Sequence, residues 1–387
     1  MKFLKILRSI WTGKVLRIVL FSVMCLVCLG SIAWALSSVA LGRSNTQQAT
    51  QSGTRIGIMD RFEKAINNQF SASLDGLLSI EKVYWLRDED VIAPEPNQDL
   101  FGETTSPEDI AEVLKKAEKL LDGQEVLFSP NRNIIPGSTI RYYLDDTILV
   151  ITWQEHHLNS IYTLSEIKLA HASQFRRFFA GNQYGYDKQF HTTQMSADVN
   201  AVVATSGDFY KHRYDGLVVY NGVVERVDYS YGVESCLIDD QGNMRFTKIG
   251  QLMNMAEAQK YVDENNIRFS ISFGPILVEN GVKRVPGWYM LGEIADPYPR
   301  SALCQADDLH YYIIISNAQH PYNSFHTLYT FADYVAATGC KMAYTLDGGQ
   351  TATLAMNDQH INPVQYGSQR FISDILYFAT AIPDGGQ

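Results

Sequence analysis

The N-terminal 43 residues restrict the topology of the chain more strongly than any other part. Residues 18–41 form an apolar stretch without a single charge, preceded by five basic residues. As a helix, this stretch would be about 36 Å long at ~1.5 Å per residue, enough for a hydrocarbon core of about 30 Å. The length of the stretch predicts an uncleaved single-pass anchor, and the flanking charge predicts a cytoplasmic N-terminus with the remainder outside the cell membrane. A cleaved signal peptide ending near Ala33-Trp34-Ala35 is the alternative.

The part beyond the anchor is acidic, and this restricts its partners. Residues 44–387 carry all 42 acidic residues and all but six of the 32 basic ones, so their formal net charge is −16. Nucleic acid is therefore not expected as a partner. A polyanionic glycan would also be repelled at long range unless a local basic pocket receives it.

The cysteines do not form a pattern typical of a disulfide framework or a zinc site. Cys236, Cys304 and Cys340 lie beyond the anchor. Their odd number leaves one pair at most, and their spacing does not match that of zinc ligands. The sequence predicts no metal or other cofactor, and leaves open a divalent cation beside a bound phosphate.

Three parts follow from the composition and the periodicity. Residues 1–43 are a cytoplasmic stub with the anchor, 44–135 a stalk and helical membrane-proximal module, and 136–387 a larger domain. Within the second part, helical spacing of apolar residues recurs from Arg55 to about Ile80 and again from Ser106 to Leu121. This module is the candidate surface for an envelope protein partner.

Strand signals dominate the third part. Apolar β-branched runs flank Asn221-Gly222 and Asn280-Gly281, which predicts two tight hairpins. The segment from Ser173 to Ala180 is predicted as a short helix. A strand at 310–316, a helix ending at Gly339 and a strand at 341–346 predict a βαβ unit with a parallel pair. The predicted fold class is α+β, with a mixed β-sheet.

Polar clusters stand at the ends of several predicted strands. They are residues 205–210, 272–275, 298–302 and 344–353. In the last cluster, Asp347 ends an apolar strand and Gly348-Gly349 remove the β-carbons that would hold a ligand away from the backbone. A sugar or phosphate site is often built in this way, although a tight turn without a ligand explains each cluster taken alone.

Taken together, the clusters resemble the motifs of the phosphodiester glycosidase family, in the right order over residues 140–380. The matching elements are 206–210 (Ser-Gly-Asp-Phe-Tyr), 273–278 (Phe-Gly-Pro-Ile-Leu-Val), 299–302 (Pro-Arg-Ser-Ala), 346–353 (Leu-Asp-Gly-Gly-Gln-Thr-Ala-Thr) and 370–374 (Arg-Phe-Ile-Ser-Asp). Five ordered matches are far more specific than any one of them.

The resemblance implies hydrolysis of a sugar-1-phosphodiester. Asp347 is then the base or stabilising carboxylate, Arg300 the phosphate clamp, and Asp208 a second carboxylate or a ligand of sugar hydroxyls. Arg370 is either a second clamp or the buried partner of Asp374, with the buried pair preferred. The other implied substrate contacts are Ser206, Gly207, Ser301, Gly348, Gly349, Gln350, Thr351 and His212.

Two alternatives to an enzyme are considered, and departures from the family pattern motivate the first. Ser206 stands where the family usually has Asn, and Gln350-Thr351 stand in place of Gly-Ser. The first alternative is a catalytically inactive glycan-binding or scaffold protein of envelope polysaccharide assembly. The second is a membrane-tethered interaction protein that binds its partner through residues 44–135.

Overall fold

The computed structural model describes residues 92–228, 232–252, 254–289, 294–318 and 326–381. The predicted anchor at 18–41, the predicted helix from Arg55 to about Ile80 and the part of the membrane-proximal module before residue 92 lie outside these residues. Of the helices within the described ranges, none combines the length and the apolar character that crossing a membrane requires.

The described residues are mostly β-structure with a few short helices, which confirms the α+β class. The strands are β1 Phe101–Thr104, β2 Ile140–Leu144, β3 Ile148–His157, β4 Ser160–Leu169, β5 Phe175–Phe179, β6 Val203–Ser206, β7 Gly216–Tyr220, β8 Val223–Asp228, β9 Ser235–Asp239, β10 Met244–Thr247, β11 Ile267–Ile271, β12 Ile276–Glu279, β13 Val282–Lys283, β14 Ser301–Asp307, β15 His310–Ser316, β16 Met342–Leu346, β17 Leu354–Met356, β18 Gln359–His360 and β19 Asp374–Phe378. The α-helices are α1 Ile110–Lys116, α2 Glu118–Leu121, α3 Thr192–Asp198, α4 Met255–Glu264 and α5 Leu328–Ala337.

The largest sheet has nine strands in the order β1-β2-β3-β4-β15-β14-β16-β12-β13. Every neighbouring pair in it is antiparallel, so the predicted mixed sheet is wrong. Both predicted tight hairpins are present: Asn221-Gly222 joins β7 to β8, and Asn280-Gly281 joins β12 to β13. All four turn residues have positive φ, which Asn and Gly tolerate best.

The βαβ prediction is correct in its elements and wrong in its pairing. β15, α5 and β16 follow one another in the chain as expected, and β15 and β16 point the same way. However, β14 lies between them and pairs antiparallel with both. β14 precedes β15 in the chain and reaches it through a tight turn at Asp308-Leu309, so it occupies the place that the parallel partner would have taken.

A second sheet has the order β18-β17-β6-β19-β5 and faces the large one. Side chains of β15 alternate between the two faces of the large sheet: Ile313 and Ile315 pack toward the second sheet, whereas Ile314 packs toward α1 and α5. This alternation is the period-two pattern of a strand that is buried on both faces. The core therefore has a layer of helices, the large sheet and the second sheet.

The short helix predicted from Ser173 to Ala180 is wrong, because most of this segment is β5. All five residues of β5 are buried, and the strand pairs with β19 at the edge of the second sheet. The phenylalanines at 175, 178 and 179 have helical spacing, but Phe175 and Phe178 belong to different clusters on opposite faces of the strand. Burial on both faces thus overrides the local periodicity.

The core continues across the predicted domain boundary at residue 136. β1 pairs with β2, and the helices that follow bury Ile110, Val113 and Leu121 against Trp153 and its neighbours. Two backbone N–H groups of this region, those of Leu127 and Phe128, donate to the buried carboxylate of Glu166 at 2.6 and 2.8 Å. The described part of the membrane-proximal module is thus packed on the large sheet.

The cysteines that the structure describes are buried free thiols. Cys304 and Cys340 lie near each other between β14 and the end of α5, and Cys236 lies on β9.

Candidate active site

Asp347 directly follows the last residue of β16 and begins a tightly bonded loop. We call residues 346–353 the Asp347 loop. Within it, the Gly348 N–H donates to Asp347 Oδ1 at 2.9 Å, and the buried Thr351 hydroxyl donates to the Gly348 carbonyl at 2.6 Å. The carboxylate is therefore oriented by its own loop.

The two glycines of this loop allow close contact with the chain before β14. A β-carbon on Gly348 would lie 2.6 Å from the Pro299 carbonyl oxygen, a backbone atom with little freedom to move. Gly349 has a φ of 65° and its N–H donates to the same carbonyl at 2.9 Å. A side chain at position 348 would therefore displace the main chain at Pro299, and the glycines allow the two segments to pack together.

Asp347 is half-buried, and its electrostatics are unusual for an aspartate. Burial raises the pKa of Asp347 to about 6, and the neighbouring Thr351 hydroxyl is the largest opposing effect. The charges of Arg370 and Arg213 and the Gly348 N–H also oppose the shift. A carboxylate that titrates near neutral pH beside two cations is a group suited to proton transfer.

Arg213 and Arg370 flank one aromatic ring, that of Phe209. The guanidinium carbon of Arg213 lies 6.0 Å from the ring centroid and that of Arg370 lies 5.0 Å from it. The distance between the two guanidinium carbons therefore cannot exceed the sum of these two distances. Arg213 also stacks over Phe273 at 4.5 Å and donates to the Phe273 carbonyl at 3.2 Å. Burial lowers the pKa of Arg213, and the charge of Asp347 is the largest opposing effect. Arg213 was not singled out from the sequence, although Lys211-His212-Arg213 follows a strand-end cluster.

The guanidinium of Arg300 is directed elsewhere. It donates to the Asp296 carbonyl at 2.6 Å and, at 3.5 Å, approaches the His326 carbonyl, and it lies over the Tyr298 ring. Its backbone contacts the Asp347 loop, because its Cα lies 3.9 Å from the site of a β-carbon on Gly348. The main chain of Arg300 thus adjoins the Asp347 loop, and its guanidinium binds the main-chain carbonyls of Asp296 and His326.

Asp208 belongs to a buried charge cluster with Arg177 and Asp374. Arg177 Nη2 lies 2.9 Å from Asp208 Oδ1 and 2.8 Å from Asp374 Oδ2, and all three side chains are fully buried. The N–H groups of Tyr210 and Ser272 also donate to Asp208, each at 2.8 Å. The preferred pairing of Arg370 with Asp374 is therefore wrong, because Arg177 takes that place.

This cluster fixes both segments that carry the cations of the site. Asp208 precedes Arg213 by five residues, and Asp374 follows Arg370 by four. Gly207 leaves no room for a side chain, because its missing β-carbon would overlap the Asp374 carboxylate. The Ser206 hydroxyl donates to the Thr351 carbonyl and so connects β6 with the Asp347 loop. Gly207 and Ser206 are thus positioning residues in this structure.

The remaining predicted substrate contacts are distributed around the site. Ser301 pairs across the sheet with Leu346, and its buried hydroxyl has no hydrogen-bond partner within the described part of the chain. Gln350 approaches the Ser368 carbonyl at 3.5 Å. His212 is exposed, stacks on Phe209 at 4.7 Å and lies 2.7 Å from the Gln189 amide nitrogen. Within the described ranges, no three His, Cys, Asp or Glu side chains cluster as metal ligands.

These features define an α+β domain with one partly desolvated carboxylate and two guanidinium groups at a strand end, an arrangement suited to anionic substrates. Residues 199–379 match the family described as "Phosphodiester glycosidase". This match contains all five motif elements, so the resemblance to that family is confirmed for this segment.

Other known proteins resemble the chain more distantly. The SPbeta prophage-derived uncharacterized protein YomE of Bacillus subtilis is 25% identical over 199 residues, which are 50% of this chain and 30% of that protein. The catalytic domain of zebrafish N-acetylglucosamine-1-phosphodiester alpha-N-acetylglucosaminidase superimposes with a TM-score of 0.48 and 14% identity over 75% of this chain and 87% of that one. A hypothetical protein from Synechocystis superimposes with a TM-score of 0.45 and 11% identity, over 62% of this chain and 63% of that one.

Proposed function

We propose that this protein is an extracytoplasmic hydrolase that cleaves the glycosyl–phosphate bond of a sugar-1-phosphodiester in a surface glycan or polymer. The observation that carries the proposal is the Asp347 carboxylate, whose pKa is raised to about 6 and which lies within the field of Arg370 and Arg213. The family match over residues 199–379 supports the class of reaction.

The residue types fit the chemistry of this bond. Breaking the bond between the anomeric carbon and the phosphate oxygen develops positive charge on the sugar ring, which a nearby carboxylate stabilises. Water supplies its hydroxyl to the anomeric carbon, and Asp347 accepts the proton. The bonding electron pair leaves with the phosphate oxygen, whose charge the guanidinium groups neutralise.

Arg213 and Arg370 take the role of phosphate clamp that the motif comparison gave to Arg300. We expect Arg213→Ala and Arg370→Ala each to lower kcat/KM by about a hundredfold, the usual effect of removing one charge contact from a transition state. The measurement is release of free sugar from UDP-N-acetylglucosamine. Arg284→Ala is the matched control, because Arg284 is exposed and pairs with Glu279 at the far end of the sheet. Wild-type rates in both site variants would reject the clamp.

A glycan-binding scaffold without catalysis is the second candidate. It is favoured by Ser206, whose hydroxyl is already bonded to the Thr351 carbonyl and so does not offer a donor to a sugar. The same assay, combined with calorimetry on the same compound, separates the two functions. Tight binding without release of sugar supports the scaffold, and turnover supports the hydrolase.

The location and the partners depend on residues 18–41 and 44–135, which lie wholly or largely outside the described residues. We propose that the first anchors the protein with its N-terminus in the cytoplasm and that the second tethers the domain or binds an envelope protein. A reporter enzyme that is active only outside the cytoplasm, fused after residue 387, should be active. Activity of a cytoplasm-dependent reporter at the same position would contradict this orientation.

A further inference from the structure

Residues 365–371, the rim segment, pack along the Asp347 loop. The Gln365 side-chain oxygen lies 2.9 Å from the place of a β-carbon on Gly349, and the Ser368 carbonyl lies 3.5 Å from the Gln350 amide nitrogen. Arg370, near the end of the segment, acts electrostatically on Asp347. The rim segment therefore borders the candidate site directly.

Two aromatic residues of the rim segment are directed toward solvent. Tyr366 is 72% exposed and Phe371 is 56% exposed. One face of Phe371 is covered by the His191 ring, with centroids 4.3 Å apart and planes 12° from parallel, so the other face remains open. Exposed aromatic side chains beside a site are typical of ligand-binding surfaces.

The backbone of Tyr366 gives an independent indication. Its φ is 60°, a left-handed conformation that costs a residue with a bulky side chain about 1 kcal/mol or more. Asn or Gly would adopt this conformation with less strain, and neither would provide the aromatic ring. Such strain tends to occur at ligand sites, where the surroundings hold it in place.

Basic side chains lie at the rim segment, although the whole protein has a formal charge of −10. Arg370 is exposed between the two aromatic residues, and its guanidinium lies 5.0 Å from the Phe209 centroid. The pKa of His212 is lowered by partial burial and then by the charges of Arg370 and Lys211. A basic area with exposed rings, in an acidic protein, favours an anionic carbohydrate over a neutral one.

We propose that the rim segment is a second subsite, which binds the next sugar-phosphate unit of an anionic glycan. Tyr366 and Phe371 would stack on the sugar, and the exposed Arg370 would bind the phosphate between the units. This inference rests on the proposed function and deepens it, because it assigns named residues to the unit of the polymer that lies beyond the scissile phosphate.

The test compares two synthetic compounds: a single N-acetylglucosamine-1-phosphodiester, and a tetramer of N-acetylglucosamine units joined through 1-phosphodiesters. In the Asp347→Asn background, where turnover is blocked during the titration, we expect the tetramer to bind about tenfold more tightly than the single unit in calorimetry, since a second stacked contact contributes roughly 1.4 kcal/mol. Tyr366→Asn combined with Phe371→Ala should abolish this difference. Asn tolerates positive φ, so the fold of the loop is retained. Val282→Ala, an exposed apolar control on the hairpin next to Met342, should leave the difference unchanged.

Binding is measured separately from turnover, so the two proposals fail separately. Equal affinity for both lengths, or a length effect that persists in the rim variant, would overturn the subsite even if the enzyme is active. Equal binding of neutral chitotetraose would overturn the anionic part of the assignment. A length effect without sugar release would retain the subsite and reject the hydrolase.

Discussion

Replacing Asp347 by asparagine is expected to lower kcat/KM for a sugar-1-phosphodiester by at least about a hundredfold, because the variant can neither accept a proton nor stabilise the sugar cation by charge. The isosteric amide keeps the hydrogen bond from the Gly348 N–H. Loss of turnover would therefore report on charge and not on loop structure. Asp307→Asn is the control, since Asp307 is an exposed carboxylate that pairs with Lys341. Wild-type turnover in Asp347→Asn would exclude the proposed mechanism.

Asp347→Asn is expected to increase the stability of the fold at neutral pH, although it lowers activity. Burial raises the pKa of Asp347 to about 6, above its ordinary 3.8, so folding favours the protonated carboxyl. The contribution of this carboxyl group to the free energy of unfolding is complete below pH ~4 and is lost as the pH rises through about 6. At pH 7.5 the asparagine variant should therefore be more stable than wild type by about 1 kcal/mol, after allowance for solvent screening. Urea unfolding at pH 7.5 and pH 4 checks this, because the difference should disappear at the lower pH.

The pH profile of the wild-type enzyme follows from the same shift. If ionised Asp347 is the base, kcat/KM rises with pH and levels off above an apparent pKa of about 6. A profile that falls over this range would instead make the protonated carboxyl an acid. Either profile would be consistent with a catalytic role of Asp347. A profile without a transition near pH 6 would show that Asp347 does not take part in the reaction.

The position of Asp347 was predictable from the sequence because its signals are local. An apolar strand, an acid and two glycines specify a strand end with an open turn, and the structure has Asp347 immediately after β16. The hairpins at Asn221-Gly222 and Asn280-Gly281 were predictable for the same reason. In each case the residues that determine the conformation adjoin in the chain.

The pairing of β15 with β16 was not predictable in this way. Chain order indicated a parallel neighbour, but β14 comes earlier in the sequence and lies between them. The position of β14 between β15 and β16 depends on contacts across the whole sheet. For example, Leu303 of β14 pairs with Ile313 on one side and Tyr344 on the other. Local periodicity does not contain this information.

The orientations of the arginines were the least accessible part of the site. The motif around Arg300 correctly indicated that its main chain adjoins the Asp347 loop, but the sequence does not specify where a long side chain points. Arg177 was missed altogether, although two arginines inside a run of phenylalanines indicate a charge in the core. A buried arginine requires an acidic partner, and the structure identifies its partners as Asp208 and Asp374.

Replacing Arg177 by methionine is expected to produce the largest loss of stability, about 3–5 kcal/mol. The substitution preserves much of the volume but leaves Asp208 and Asp374 buried without their cation. It also removes the contacts of the guanidinium with Phe179 and with the Ser270 carbonyl. Arg245→Met is the matched control, because Arg245 pairs with the buried Asp239 while remaining 47% exposed itself. Urea unfolding of both variants at pH 7.5 provides the comparison.

Asp208→Asn then separates a structural role of this carboxylate from a catalytic one. Its oxygens accept hydrogen bonds from Tyr210, Ser272 and the Arg177 guanidinium, so we expect the variant to lose about 1–3 kcal/mol of stability. Turnover should fall only as far as the folded fraction falls, because the Asp208 side chain is fully buried and its oxygens are already occupied by these donors. If the variant instead unfolds like wild type and loses a hundredfold in kcat/KM, Asp208 is the second catalytic carboxylate. The buried charge cluster would then belong to the reaction and not only to the framework that positions Arg213 and Arg370.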